Sequence, residues 1–146
     1  MSALLQKSAA LLALAISIAA CGGDSTSPST DPPAGSYNAI TFVTTGTSGQ
    51  RDELLAGGSL QLALDPEHKS SGHLHVAASS ASPVFDADMA GTWTANGNVV
   101  TVSQAADTFV RNMPFTLELD PVKGYVLLGD KTFSSTRIQI TLKRAT

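Results

Sequence analysis

Only one of the 146 residues is a cysteine. A single thiol excludes an intrachain disulfide framework and any zinc site built on paired cysteines. Charge is scarce as well: Asp, Glu, Lys and Arg make up 14% of the chain, with 9 basic residues against 12 acidic. The basic residues stand singly until Lys143-Arg144, so the clustered Lys and Arg that would grip nucleic acid or anionic lipid are missing. No apolar run reaches the ~20 residues that span a bilayer. There is no Gly-X-Ser-X-Gly elbow, phosphate-binding loop or dinucleotide fingerprint, and the three histidines, His68, His73 and His75, have no nucleophile motif beside them. These absences lead us to expect a protein that is not an enzyme, carries no cofactor and does not bind nucleic acid.

What is present is most specific near the start. Lys7 is the only charge before an apolar run, Ala9 to Ala20, that is broken only by Ser17. Twelve residues are too few for a comfortable span and fit the apolar core of a signal peptide, residues 1–20, which is removed on export. The run ends in Ile18-Ala19-Ala20-Cys21, which resembles the lipobox of bacterial lipoproteins. The resemblance implies that Cys21 is lipidated and becomes the mature N-terminus, a lipid anchor in the cell envelope. Gly22 follows the cysteine where an aspartate would retain the protein at the inner membrane, so the expected address is the outer membrane. One acyl chain holds a protein only reversibly and two or more hold it stably, so the domain is expected to be peripheral and tethered. With Cys21 modified, no thiol chemistry remains.

Residues 22–35, GGDSTSPSTDPPAG, carry no apolar side chain larger than alanine. Such a segment buries too little surface to offset its ordering entropy. We expect residues 21–35 to be the lipidated N-terminus and a disordered linker reaching about 20 Å. Without Lys7 the mature chain holds 8 basic and 12 acidic residues, a net charge of −4.

The remaining residues, 36–146, form one domain with a hydrophobic period of two. Leu60-Gln61-Leu62-Ala63-Leu64, His73-Leu74-His75-Val76 and Arg137-Ile138-Gln139-Ile140-Thr141-Leu142 alternate cleanly, and Tyr37 to Thr44 is β-branched and aromatic. Gly91 to Ala95 and Val99 to Val102 flank Asn96-Gly97, a signal for a hairpin with a type I′ turn. Phe115 to Leu119 and Tyr125 to Leu128 complete about eight strands, with Gly129-Asp130-Lys131 read as a further turn. Gly46 to Gly58 reads as a long loop; Ser79 to Met89 reads as a loop or a short helix across a barrel mouth, and Ala105 to Asn112 stays open. Leu60 to Pro66 echoes Phe115 to Pro121, as strand alternation followed by an Asp-Pro turn generally does. The expected fold is all-β, a single antiparallel up-and-down barrel preceded by the signal helix and the linker.

Gly91-Thr92-Trp93 and the terminal strand resemble the small lipocalin-like β-barrels of envelope lipoproteins, although lipocalins carry Gly-X-Trp on their first strand. The resemblance implies a barrel that holds a small apolar ligand. Eight strands enclose either packed side chains or one small molecule. Trp93 is then a ligand platform or a barrel plug. His73 and His75 share one face of a strand, about 6.5 Å apart, and could hold a metal with His68 or Asp86 as third ligand; the plainer account is a solvated face opposite Leu74 and Val76. Asp86 and Asp88 share a parity too, and two carboxylates fall short of the usual cation shell. Three functions remain: ligand binding in the barrel, a structural or protein-interaction module with a filled barrel, and a metal-binding module using His73 and His75.

Overall fold

The computed structural model describes residues 33–146 apart from Ala81. The signal segment, Cys21 and nearly all of the linker lie outside the described residues. The described chain is all-β: β1 Gly35–Gly46, β2 Gly49–Asp52, β3 Ser59–Leu64, β4 Lys69–Val76, β5 Phe85–Asn96, β6 Val99–Gln104, β7 Met113–Asp120, β8 Gly124–Phe133 and β9 Thr136–Arg144. Every pairing is antiparallel, in the order β2-β1-β3 through to β9, and β1 also pairs with β9. That last pairing closes eight strands into an up-and-down barrel, with β2 as an extra strand. β1 offers one edge to β9 and divides the other: Gly35 to Asn38 pair with β3, and Val43 to Gly46 pair with β2.

The two ends of the barrel differ. The proximal end holds the start of β1, the end of β9 and the short turns β3–β4, β5–β6 and β7–β8. The distal end carries the β1–β2 hairpin, the connections 53–58, 77–84 and 105–112, and the Ser134-Ser135 turn. Asp-Pro occurs twice at the proximal end because an aspartate there caps its turn. Asp65 Oδ1 accepts from Lys69 N at 2.7 Å, and Asp120 Oδ1 accepts from Val122 N and Lys123 N, each at 2.8 Å. The Lys123 and Val122 amides hold the Asp120 carboxyl below its ordinary range.

The strand alternation predicts the core. Leu60, Leu62 and Leu64 of β3 face inward with Leu74, Val100, Val102, Phe115, Leu127, Ile138, Ile140 and Leu142, all buried. Tyr37 and Phe42 are both buried although five residues apart. In a regular strand they would face opposite ways; the register slips between Ala39 and Thr41, and this bulge at Ile40 reverses the parity so that both point inward. Outward positions such as Asn38, Gln61, Thr94, Glu118 and Gln139 are polar and exposed. An apolar inside and a polar outside is the inverse of a membrane-spanning barrel.

Four sequence expectations need correction. The Gly46 to Gly58 segment is not one loop, because β1 folds back through Thr47-Ser48 to pair Gly46 with Gly49 and form β2. Ser79 to Met89 is a loop only in its first part: from Phe85 onward it belongs to β5, paired with β4 despite its weak β propensity. Gly129-Asp130-Lys131 is no turn, since β8 runs through it to Phe133. Gly129 faces inward, where a Cβ would collide with Met113 and lie 2.9 Å from the Phe115 ring. The β5–β6 turn has Gly97-Asn98 at its centre, with φ +59° at Gly97 and no positive φ at Asn98. That is a type II′ pattern, one residue away from the Asn-Gly type I′ turn read from the sequence. The type I′ pattern occurs at Ser134-Ser135 instead, with φ of 47° and 65°.

Candidate functional site at the distal mouth

A cavity of about 330 Å³ opens at the distal end. It continues the barrel interior, so its floor consists of core residues: Phe42, Leu74, Phe109 and Ile138. Val76, Phe85 and Phe133 form the walls, and the lip carries Thr44, Ser82, Asp107 and Thr136. Its surface is mostly apolar, and Phe85 at the lip is 43% exposed. The volume is at the small end of the range for ligand pockets, ~300–1,000 Å³. Below the floor the barrel is filled by side chains.

The 105–112 connection builds one side of the floor. Its Phe109 ring meets Phe42 at 5.5 Å between centroids, and Val110 is fully buried. Lys131 Nζ donates to the Arg111 carbonyl at 2.6 Å and the Phe109 carbonyl at 3.3 Å, and Gln104 Nε2 donates to Thr108 Oγ1 at 2.6 Å. These bonds hold the connection over part of the mouth and leave the rest open between residues 77–84 and the Ser134-Ser135 turn.

A second, more polar cavity of about 410 Å³ adjoins the first and shares Thr44, Val76, Ser82 and Thr136 with it. Gln50, Arg51 and Glu53 line its far side. Glu53 is 3% exposed; its Oε1 accepts from Thr44 Oγ1 at 2.6 Å. Its Oε2 accepts no hydrogen bond, and Arg51 Nη1 stands 3.5 Å away. Nothing in the sequence singled out Glu53, because it lies in a Gly-rich stretch without alternation. The signal that could have found it is the shared parity of Arg51 and Glu53 beyond a Gly-X-X-Gly turn.

A larger concavity, about 670 Å³, is a trough on the outer wall over Thr41, Val99, Thr116, Leu128 and Thr141. Its lining is nearly as polar as apolar and touches the core cluster only at Ile140, so we favour the smaller cavity as the site.

Trp93 sits at the opposite end from the mouth. It is 4% exposed, its Nε1 donates to the Asp65 carbonyl at 3.0 Å, and the His68 ring stacks 4.6 Å from it. It closes the proximal end and lines none of the distal cavity. This places His68 about 16 Å along β4 from His73, so those two do not meet at one metal. His73 and His75 lie on the outer wall opposite Leu74 and Val76, each paired across the sheet with an aspartate of β5. His73 Nδ1 stands 2.8 Å from Asp88 Oδ1, and His75 Nδ1 stands 2.6 Å from Asp86 Oδ1, with His73 Nε2 3.4 Å from that same oxygen. The Asp88 hydrogen bond raises the His73 pKa above its ordinary 6.5, while His75, then His73, hold Asp86 below its ordinary 3.8. Among the described residues, no three or more His, Cys, Asp or Glu side chains are arranged to hold a metal ion. No protein-family model and no curated protein sequence matches this chain.

Proposed function

We propose that this protein is a lipid-anchored lipoprotein of the bacterial envelope whose barrel holds a small apolar ligand at its distal mouth. The observation that carries the ligand reading is the cavity of about 330 Å³ whose floor is the barrel core itself. Apolar surface left open in a folded protein costs free energy that an apolar ligand recovers by covering it, and Phe85 lies exposed at the lip. The anchor reading rests on Ile18-Ala19-Ala20-Cys21 and Gly22. β1 begins at the proximal end, so the segment that follows Cys21 joins the barrel there.

The filled interior below the cavity favours a second reading, a barrel that serves as a structural or interaction module. Mass spectrometry of small molecules extracted from the full chain, purified without detergent, separates the two. Ligand binding predicts a stoichiometric apolar molecule, lost when Val76→Trp fills the mouth. A chain that yields no such molecule and takes up none when offered lipid extract contradicts it. The anchor has its own test: Cys21→Ser releases the protein from sedimenting membranes and removes an acyl mass from its N-terminal peptide. A variant that sediments unchanged contradicts the anchor.

A further inference from the structure

Two adjoining cavities of different polarity fit a ligand with two different ends. We infer that the distal mouth takes a small amphiphile, with an apolar body seated over Phe42, Phe109 and Ile138 and a hydrogen-bond-donating head, a hydroxyl or an amine, placed against Glu53. This rests on the ligand reading above and names the class of ligand.

The argument starts from the two cavities. They share Thr44, Val76, Ser82 and Thr136, so the apolar floor and the polar side are separated by no more than these four residues. Glu53 lines the polar cavity and accepts from Thr44, one of the shared residues. A buried carboxyl oxygen without a donor is costly. Among the described residues, only Glu53 Oε2 and Gln104 Oε1 are buried side-chain polar atoms without a hydrogen-bond partner. Both are acceptors, and both belong to the distal end.

The sign of the head follows from what the nearby cation already does. Among the described residues, Arg51 is the only cation lining either cavity. Its Nη2 donates to the carbonyls of Ala77 at 3.1 Å and Ala78 at 3.0 Å, and its Nη1 faces Glu53. It ties β2 to the end of β4 and has little left for an anionic head. Asp107 at the lip adds a second carboxyl. The two cavities are therefore lined by two carboxyls against one guanidinium. It recognises a group that donates and repels a carboxylate.

The probes are decanol, decylamine and decanoate, titrated by calorimetry into the full chain carrying Cys21→Ser. Decanol and decylamine are expected to bind, with decanoate weaker by about tenfold or more. Glu53→Gln, which keeps an acceptor for Thr44, is expected to bring decylamine and decanoate within about threefold of each other. Intermolecular NOEs on the protein with Glu53 intact need no variant: the methylene beside the decanol hydroxyl should lie near Thr44 and Gln50, and the terminal methyl near Phe109 and Ile138. If all three probes bind equally, or if decanol lies the other way round, the head subsite is wrong while the apolar cavity stands. If none of the three binds, the ligand reading itself falls.

Discussion

The proximal and distal ends of this barrel are built from the same strands and solve different problems. At the proximal end Trp93 closes the interior, its indole N–H bonded to the Asp65 carbonyl and its ring stacked on His68. The turns there are short and capped by Asp65 and Asp120. At the distal end the connections are longer, Phe85 is exposed, and Glu53 and Gln104 each bury an oxygen that accepts no hydrogen bond among the described residues, Glu53 having only the Arg51 guanidinium at 3.5 Å. The first end looks optimised for stability. The second leaves apolar surface and hydrogen-bonding capacity unused, which is where a rigid scaffold presents function.

The comparison can be broken by substitution. Trp93→Ala should cost about 3–5 kcal/mol by loss of burial and opening of a cavity, read as a fall in the urea midpoint. Phe85→Ala, at the exposed distal lip, should cost under about 1 kcal/mol and weaken decanol binding instead. Equal losses of stability would erase the distinction between the ends. Between the two ends, Gly129→Ala should cost about 1–3 kcal/mol, because the new methyl collides with Met113 and crowds Phe115 in a filled section of the barrel. A neutral result would show that the middle is looser than its packing implies.

Smaller effects sharpen the picture. Ser135→Gly should stabilise by about 0.5–1 kcal/mol, since φ of 65° is unfavourable for serine and free for glycine. The outer wall supplies the smallest effect. His73 should titrate in NMR with a midpoint above 6.5, and Asp88→Asn should lower that midpoint. Its pairing contributes fully below pH 6.5 and is lost as pH rises through the raised value. The Asp86 contribution is present above pH 3.8 and is lost as pH falls through its lowered value. The pairs therefore act together in mildly acidic solution, and weakly, because they are exposed to solvent. A His73 midpoint at or below 6.5 would show that these contacts do not persist.

The barrel was largely legible in the sequence, because period-two alternation fixes which side of each strand faces in. Leu60-Gln61-Leu62 and Ile138-Gln139-Ile140 place their apolar residues in the core as read. The misreadings occur where a tertiary contact overrides local preference. Gly129 looks like a turn residue and is a packing residue, since what requires glycine there is Met113 and Phe115 from another strand. Asp86 and Asp88 look like loop and lie in β5, held by their register with His75 and His73. The distal site was the least legible. Its floor gathers residues from four separate segments, and Glu53 lies in a Gly-rich stretch without alternation. The proposed lipobox at Cys21 carries the reverse lesson: it is read from adjacent residues alone, and it lies outside the described residues.

The central claim is that the distal mouth takes a ligand and the proximal end does not. Methyl-resolved NMR of the full chain carrying Cys21→Ser, titrated with decanol, tests it directly. Saturable shifts should appear at Leu74, Val76 and Ile138 and be absent at Leu64 and Val100 near the Trp93 plug. Shifts at both ends, or none at either, would contradict the account.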